Sequence, residues 1–359
     1  MLTLNNRNQI DVNNTNVLID SFVTFKNNSL VFIFNNYHHI INNTKINLDK
    51  TIIVYNNNVL KYKALNKFNN YNAIEDFNPI TYFTNRFHHE IFIVDNFTKD
   101  YFIDSNNSFN LEIKLNDCNN NCIVNKILTI NSINNEFLDK KCVTTIYNNE
   151  EDLIPSWIEY HKNIGFEKFI IYDNNFNEDK FNKLSISIQK YIDDVFIINA
   201  NWNYWLNSYG INSVGQCIQQ NHCIWKFCPK FLLLTDLDEY VNIQNNCNLF
   251  DENKFITSIP NWFFGCNNNI TYNNNNFIQK LTKKTANPNN KTQRKCLIQS
   301  QYVDLFCVHV PIIFYKNINY LDYNECYLNH YYILSSKKRQ CICQIYCEIE
   351  DNSILKNCK

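Results

Sequence analysis

Between Lys141 and Val241, short apolar runs alternate with amphipathic stretches at the spacing of strand–helix units. Lys141-Cys-Val-Thr-Thr-Ile-Tyr147 reads as a strand, Lys168-Phe-Ile-Ile-Tyr172 as a second and Val195-Phe-Ile-Ile198 as a third. After the first, Asn148 is expected to cap a helix with Glu150, Glu151 and Asp152 in its first turn, where acidic charge suits the dipole. That helix is expected to run through Trp157-Ile-Glu-Tyr-His161 and to stop at Gly165. Further helices are expected over Asp179 to Ile192 and around Ser213 to Trp225. The last leads into Phe231-Leu-Leu-Leu-Thr235, a continuous apolar run that reads as a strand buried on both faces. Strands and helices alternating in this way predict an α/β domain, a mostly parallel sheet flanked by helices, over residues 141–359.

Residues 1–140 have a different texture. Val31-Phe-Ile-Phe34, Thr51-Ile-Ile-Val-Tyr55 and Glu90-Ile-Phe-Ile-Val-Asp95 are short β-branched and aromatic runs separated by Asn clusters, which predicts a strand-rich accessory region without assignable chemistry. His88, His89 and Glu90 are neighbours there, but adjacent residues of a strand face opposite ways, so a surface position is expected for them.

Composition narrows the classes of function. With 359 residues, 45 % of them hydrophobic, the chain can bury one large core or two ordinary ones. Lys plus Arg (33) nearly balances Asp plus Glu (34), which argues against an electrostatic nucleic-acid binder. The excess of Asn, Ile, Lys, Phe and Tyr follows AT-rich codons, so the Asn runs are read as genome bias, as in a large DNA virus or an AT-rich protist. The start, Met-Leu-Thr-Leu-Asn-Asn-Arg-Asn, lacks the pattern of a signal peptide, and no window reaches the length of a membrane span. The 15 cysteines are then expected to be reduced thiols in a cytoplasmic setting, of the host cell or a virion if the source is viral. Cys118 with Cys122, and Cys341, Cys343 and Cys347, lack the paired spacing of a zinc site.

The apolar run at Phe231 ends in Asp236, Asp238 and Glu239. Ligands of open α/β sheets sit beyond the carboxyl ends of such strands. Paired Asp side chains repel each other unless a cation neutralises them, and hard oxygen ligands suit Mg²⁺ or Mn²⁺. A diphosphate is a ligand that needs such a cation as it departs. Asp173, at the end of the second strand, could accept a hydrogen bond from a base N–H or a ribose hydroxyl, or could simply form a turn among its Asn neighbours.

Several blocks in order resemble glycosyltransferase family 92 and related family 2-like enzymes. They are Thr145-Ile-Tyr-Asn-Asn-Glu-Glu-Asp-Leu-Ile-Pro-Ser-Trp-Ile-Glu-Tyr-His-Lys-Asn-Ile-Gly165, Tyr172-Asp-Asn174 and Gln216 through Asn221-His-Cys223 before Asp-Leu-Asp-Glu. Asn261-Trp-Phe-Phe-Gly265, Arg294-Lys295 leading to Val308-His309, and Leu328-Asn-His-Tyr331 with Ser335-Ser-Lys337 follow. The resemblance covers about 200 residues and leaves out the N-terminal region. It implies a GT-A fold moving a sugar, a hexose such as galactose, from a nucleotide-diphosphate donor to a hydroxyl of a glycan or glycoconjugate. By the same resemblance Tyr147, Asn148, Glu150, Asp173, Gln216, Asp236, Arg294 and Lys295 would contact the nucleotide sugar. Asp236 and Asp238 would ligate Mn²⁺ or Mg²⁺ with a C-terminal histidine, His309 first and His330 second. Trp262 and Tyr331 would stack on acceptor sugar rings, with core packing an equal alternative for Trp262, whereas Lys283 and Lys284 read as solvated charge. An inverting transferase needs a carboxylate base, yet none occurs between Asn253 and Val303. Asp304 comes first after the gap, with Glu239 and the pair Asp251-Glu252 as alternatives, unless the mechanism is retaining.

Two rivals remain on the sequence. A haloacid-dehalogenase-type phosphatase also places Asp-x-Asp after an apolar strand, but it needs a later acidic pair that the acid-free stretch lacks. A non-catalytic carbohydrate-binding protein on a transferase-like fold is the other.

Overall fold

The computed structural model describes residues 3–5, 9–12, 15–35, 40–41, 44–65, 89–100, 108–131, 136–202, 214–245, 247–265, 278, 281–287, 294–331 and 349–357. They fall into two compact units. One comprises Met1–Asn5, Asp139–Asn201 and Pro229–Lys359; the other comprises Asn6–Leu138 and Trp202–Cys228. The chain thus crosses between units at several points and not at Lys140 alone.

The first unit is built on an eight-stranded sheet. Its order is Thr3–Asn5, Val195–Asn199, Lys168–Asp173, Lys141–Tyr147, Phe231–Leu234, Lys295–Ile298, Ile256–Ile259, Ile318–Tyr320. The first five run parallel. Lys295–Ile298 is antiparallel to both of its neighbours, and Ile256–Ile259 is parallel to Ile318–Tyr320, so one strand is reversed in an otherwise parallel sheet. The apolar run at Phe231 is buried at all four positions, as its unbroken hydrophobicity requires. Beyond it the sequence reading was incomplete. A five-stranded sheet of Glu239–Ile243, Cys326–His330, Asn261–Gly265, Lys283–Lys284 and Ile349–Glu350 stands beside the first, with a separate hairpin of Val303–Cys307 and Val310–Phe314. Strand outweighs helix here, and the sheets are mixed.

The expected N-cap is corrected. Asn148 caps nothing: a 3₁₀ turn, Glu151–Leu153, precedes the α-helix Ile154–Asn163, whose first turn contains Pro155. Proline lacks the N–H that a cap would have to satisfy, so the helix starts without one. It does stop where expected. Gly165 takes φ +105°, a conformation that costs other residues strain, and a Cβ there would lie 3.3 Å from the Phe250 ring. Trp157, Ile158 and Tyr160 of this helix are buried with Phe169, Ile171, Leu233 and Tyr240 in one core. Burying each such side chain is worth roughly 1.5–3 kcal/mol. The next helix runs Glu178–Ser187, capped by Asn177, and gives way to a 3₁₀ turn before Ile192.

His161 lies inside that core, fully buried against Trp157 and Tyr240, with Nδ1 2.8 Å from the Trp157 carbonyl oxygen. Burial pushes its imidazole down to about 4. The neutral ring is therefore the native form, and the unfolded chain takes up a proton first as pH falls. Stability should drop between about pH 6.5 and pH 4, by up to about 3 kcal/mol for a shift of this size. Urea unfolding at pH 7 and pH 5 checks this: His161→Phe is expected to lose most of that pH dependence, and an unchanged dependence would assign it elsewhere.

The second unit is antiparallel throughout its two larger sheets. One has the order Ile10–Val12, Thr15–Thr24, Ser29–Asn35, His89–Val94, Lys63–Ala64, the other Cys122–Ile130, Phe109–Asn116, Ile52–Tyr55, Asn58–Val59. Phe32, Phe34, Phe92 and Phe97 fill its core, and Glu90 is buried, contrary to the expected surface position. The helix expected before Phe231 is present as Val214–Lys226 but belongs to this unit. Its anchor is polar: His222 Nε2 lies 2.9 Å and Lys226 Nζ 2.6 Å from Oδ2 of the buried Asp20. Burial would raise the Asp20 carboxyl, but Lys226 and His222 outweigh it and hold it well below the usual range.

Asparagine does more than fill loops. Eight of the ten described non-glycine residues with positive φ are Asn, including Asn27, Asn28, Asn56, Asn57 and Asn120 at hairpin turns. Asn tolerates the left-handed region better than other chiral residues, and a chain with only four glycines uses it for tight turns. No helix among the described residues is long and apolar enough to cross a membrane, and no disulfide joins the described cysteines to one another.

Candidate active site

The site forms where the strand Phe231–Leu234 ends and the chain turns into Glu239–Ile243. Glu239 N–H donates to the Asp236 carbonyl at 3.1 Å and closes the turn. The Glu239 carboxylate reaches back over it, accepting from Thr235 Oγ1 at 2.8 Å and from Asp236 N–H at 3.0 Å. Because Lys295–Ile298 runs antiparallel to Phe231–Leu234, its first residue lies beside this turn. Lys295 Nζ is 2.9 Å from Asp236 Oδ2 and 3.5 Å from Glu239 Oε2. Across the other sheet Glu239 stands opposite His330. His330 Nε2 is 3.3 Å from Asp238 Oδ2, its Nδ1 is 3.6 Å from Glu239 Oε1, and its ring rests on Phe263 at 5.0 Å. Tyr331 N–H holds the Asp238 carbonyl at 2.7 Å.

Three carboxylates, an ammonium and an imidazole thus share a site in which only Asp236 is substantially accessible, at 35 % of its side chain. Burial works against the charge on Lys295, yet Asp236 and Glu239 outweigh it and raise the ammonium above its ordinary value. His330 behaves likewise: burial opposes protonation, and Asp238 with Glu239 reverses the balance and raises it. Burial raises the Glu239 carboxyl despite Lys295. Glu150 joins the same field from the end of the neighbouring strand. Its carboxyl is pushed up to about 7, by burial first and also by the negative charge of Asp238, against the hydrogen bond it accepts from Asn148 N–H.

Tyr147 and Asp173 are paired in register at the ends of adjacent parallel strands. Asp173 is fully buried and accepts from Asn175 N–H at 2.9 Å, with the Tyr147 hydroxyl near its carboxylate. Burial raises its carboxyl, and burial together with the Asp173 charge raises the Tyr147 phenol. Glu150, Asp236, Asp238, Glu239, Lys295 and His330 are brought together; other expected residues are placed differently. Gln216 lies on the helix Val214–Lys226 of the other unit. Arg294 faces away from the acids, donating to Ser258 Oγ and the Ser258 carbonyl, both at 2.8 Å, and to the Leu321 carbonyl at 2.5 Å. His309 sits in the turn between Val303–Cys307 and Val310–Phe314, with Nδ1 3.1 Å from the Arg294 carbonyl. The imidazole beside Asp238 is His330, the second choice of the sequence reading.

Asp304 belongs to that same hairpin, where the Tyr315 hydroxyl donates to its carboxylate. Tyr331 is fully buried against Tyr240 and Phe264, so it has no face to offer a sugar. Trp262 is held by packing: its Nε1–H donates to the Thr285 carbonyl at 2.7 Å, Tyr323 packs edge-on, and Lys284 Nζ lies 3.9 Å from the ring centroid. Lys284 is no solvated charge either, since it also pairs with Asp351 at 2.6 Å. Thr235 and Phe263 were missed, although each lies inside a block already singled out. Ser335, Lys337, Cys341, Cys343 and Cys347 lie outside the described residues.

Among the described residues no group of three or more His, Cys, Asp or Glu side chains is arranged to close round a metal ion. Asp238 and His330 offer an oxygen and a ring nitrogen 3.3 Å apart. Two donors suit a cation that keeps the rest of its shell on phosphate and water, as Mg²⁺-class ions do in phosphate sites.

The family described as glycosyltransferase family 92 matches residues 141–353, more than half of the chain. A glycosyltransferase family 92 protein of Ricinus communis is 26 % identical over 111 residues, which is 31 % of this chain and 18 % of the relative. The chain therefore aligns with less than a fifth of that relative's length.

Proposed function

Because the chain belongs to glycosyltransferase family 92, we propose that it transfers a sugar from a nucleotide-diphosphate donor to a hydroxyl of a glycan or glycoconjugate. The observation that carries this reading is the cluster of Asp236, Asp238, Glu239, Lys295 and His330 outside the carboxyl end of Phe231–Leu234. The strand order reverses there: from Lys141–Tyr147 the chain builds outward to Val195–Asn199, then returns to the opposite side as Phe231–Leu234. Ligands of open α/β sheets occupy such a switch point. A parallel sheet with the one reversed strand that delivers Lys295 supports a GT-A-type arrangement. Asp173 and Tyr147 would then meet the base and ribose, and Glu150 the sugar-diphosphate side of the nucleotide.

Lys295 is the cation of the pair Arg294-Lys295 able to act on the diphosphate, since Arg294 is bound to backbone carbonyls. Asp238 and His330 would hold Mn²⁺ or Mg²⁺, which when bound offsets the charge that builds on the departing diphosphate. Glu239 organises the turn, orients His330 and offsets Lys295. Its commitments to Thr235, Asp236, Lys295 and His330 leave it poorly placed to deprotonate an acceptor.

The test is hydrolysis of a panel of nucleotide-diphosphate hexoses, UDP-galactose included, by the full chain with and without Mn²⁺. Slow, metal-stimulated release of one nucleotide is expected. Absence of both turnover and nucleotide binding across the panel would instead favour a carbohydrate-binding protein on this fold. Manganese titration with donor nucleotide present separates the histidines. His330→Ala is expected to weaken binding by about tenfold or more, and His309→Ala to leave it unchanged; the reverse result would move the ligand to His309.

A further inference from the structure

At the edge of the eight-stranded sheet, away from the acidic cluster, lies a cleft of about 400 Å³. It is lined by Asn253, Lys254, Phe255, Tyr315, Lys316 and the strand start at Asn317–Asn319. The register fixes its place. Lys295 pairs with Ile259, and Ile298 pairs with Ile256, so residues 253–255 lie off the end of the sheet opposite Lys295. Three features of the cleft are independent of the transferase site.

Tyr315 is 60 % exposed, yet its ring is held in place, because the backbone N–H donates to the Tyr302 carbonyl at 3.0 Å and the hydroxyl to Asp304. A fixed, exposed aromatic face suits the C–H face of a sugar ring. The lining includes two lysines and no carboxylate. Nearby acids are engaged: Glu252 by Lys230 at 2.6 Å, Asp251 by Asn253 N–H at 3.0 Å, and Asp304 by Tyr315. Finally, Lys316 Nζ sits 5.0 Å from the Phe255 ring and 5.5 Å from the Tyr302 ring, which keeps its charge at the cleft.

We propose that this cleft is a second saccharide-binding site, distinct from the acidic cluster, that takes an anionic sugar ring bearing a carboxylate, sulfate or phosphate. Tyr315 supplies the stacking face, and Lys254 with Lys316 the countercharge. The inference goes beyond the transferase reading and does not rest on it, because binding is measured without turnover.

The experiment is calorimetric titration of the full chain with four probes: a sulfated tetrasaccharide, a uronic-acid tetrasaccharide, a hexose 1-phosphate and a neutral tetrasaccharide. Millimolar or tighter binding of an anionic probe is expected, with the neutral one weaker by about tenfold or more. Lys316→Glu is expected to abolish it, at an unchanged unfolding midpoint. Binding of the phosphate alone among the anionic probes would assign a sugar phosphate as the source, and binding of the oligosaccharides an acidic glycan. The proposal fails if no probe binds, if the neutral tetrasaccharide binds equally well, or if inorganic sulfate competes as strongly as the saccharides. Should Lys316→Glu fold poorly, Lys254→Glu carries the same test, and undiminished binding by a folded variant overturns the site.

Discussion

Asp238→Asn is expected to lower sugar transfer by on the order of a hundredfold or more, the scale on which single electrostatic stabilisers of a departing anion act. The substitution keeps the side-chain volume and leaves an oxygen able to accept from His330 Nε2, now 3.3 Å from Asp238 Oδ2. It removes one charge from a site where Asp238 is only 2 % exposed. The backbone bond from Tyr331 N–H to the residue 238 carbonyl is untouched, so the turn should persist and the unfolding midpoint should move little. With the carboxylate gone, His330 loses the strongest of the charges that raise it, and an oxygen donor for the cation loses its negative charge. Loss of the carboxylate charge weakens the site for Mn²⁺, and the easier deprotonation of the imidazole, whose neutral form is the one that binds metal, only partly offsets it. The measurement is donor turnover and manganese affinity side by side in a variant whose melting curve matches wild type. Full turnover, or full turnover of the wild type in excess chelator, would sink the metal reading of Asp238.

How much of this could be read beforehand follows from which interactions are local. Strand Phe231–Leu234 and its acidic end were legible because a continuous apolar run buried on two faces has few alternatives, and carboxylates cannot continue it. The parallel strands Lys141–Tyr147, Lys168–Asp173 and Val195–Asn199 were legible for the same reason. The second sheet was not. Glu239–Ile243 and Cys326–His330 pair across more than eighty residues, and nothing near either strand announces the other. His330 and His309 illustrate the cost. Both follow apolar runs, but one ends a strand paired to Glu239, while the other sits in a hairpin turn with its ring on a backbone carbonyl. The helix Val214–Lys226 was visible from its periodicity, but its partner was not. The partner is Asp20, 202 residues away, and a polar anchor leaves no hydrophobic signature. Arg294, just before the strand, and Lys295, its first residue, are adjacent in sequence and opposite in direction, in keeping with the alternation of an extended chain. That alternation was available in advance and would have separated the two.

Lys295→Met is the substitution with the largest expected effect on the fold. The lysine side chain is 1 % exposed, and its ammonium lies between Asp236 Oδ2 at 2.9 Å and Glu239 Oε2 at 3.5 Å. Asp236 can turn toward water, being 35 % accessible, whereas Glu239 cannot. Methionine fills much of the same volume, so what is removed is charge and not packing. Breaking a buried ion pair by deleting one partner typically costs about 3–5 kcal/mol, because the remaining charge stays buried and uncompensated. A loss of that size is a large fraction of the stability of an ordinary domain. If charge is the cause, Lys295→Met combined with Glu239→Gln should recover a substantial part of it, since the amide keeps an acceptor for Thr235 and removes the orphaned charge. Neither variant is expected to transfer sugar, because both lack the cation proposed to act on the diphosphate. Urea unfolding of the wild type, the two single variants and the double variant gives the coupling directly. Strictly additive losses would mean that Lys295 and Glu239 do not hold each other, and that the acidic turn is kept in place by backbone and packing alone.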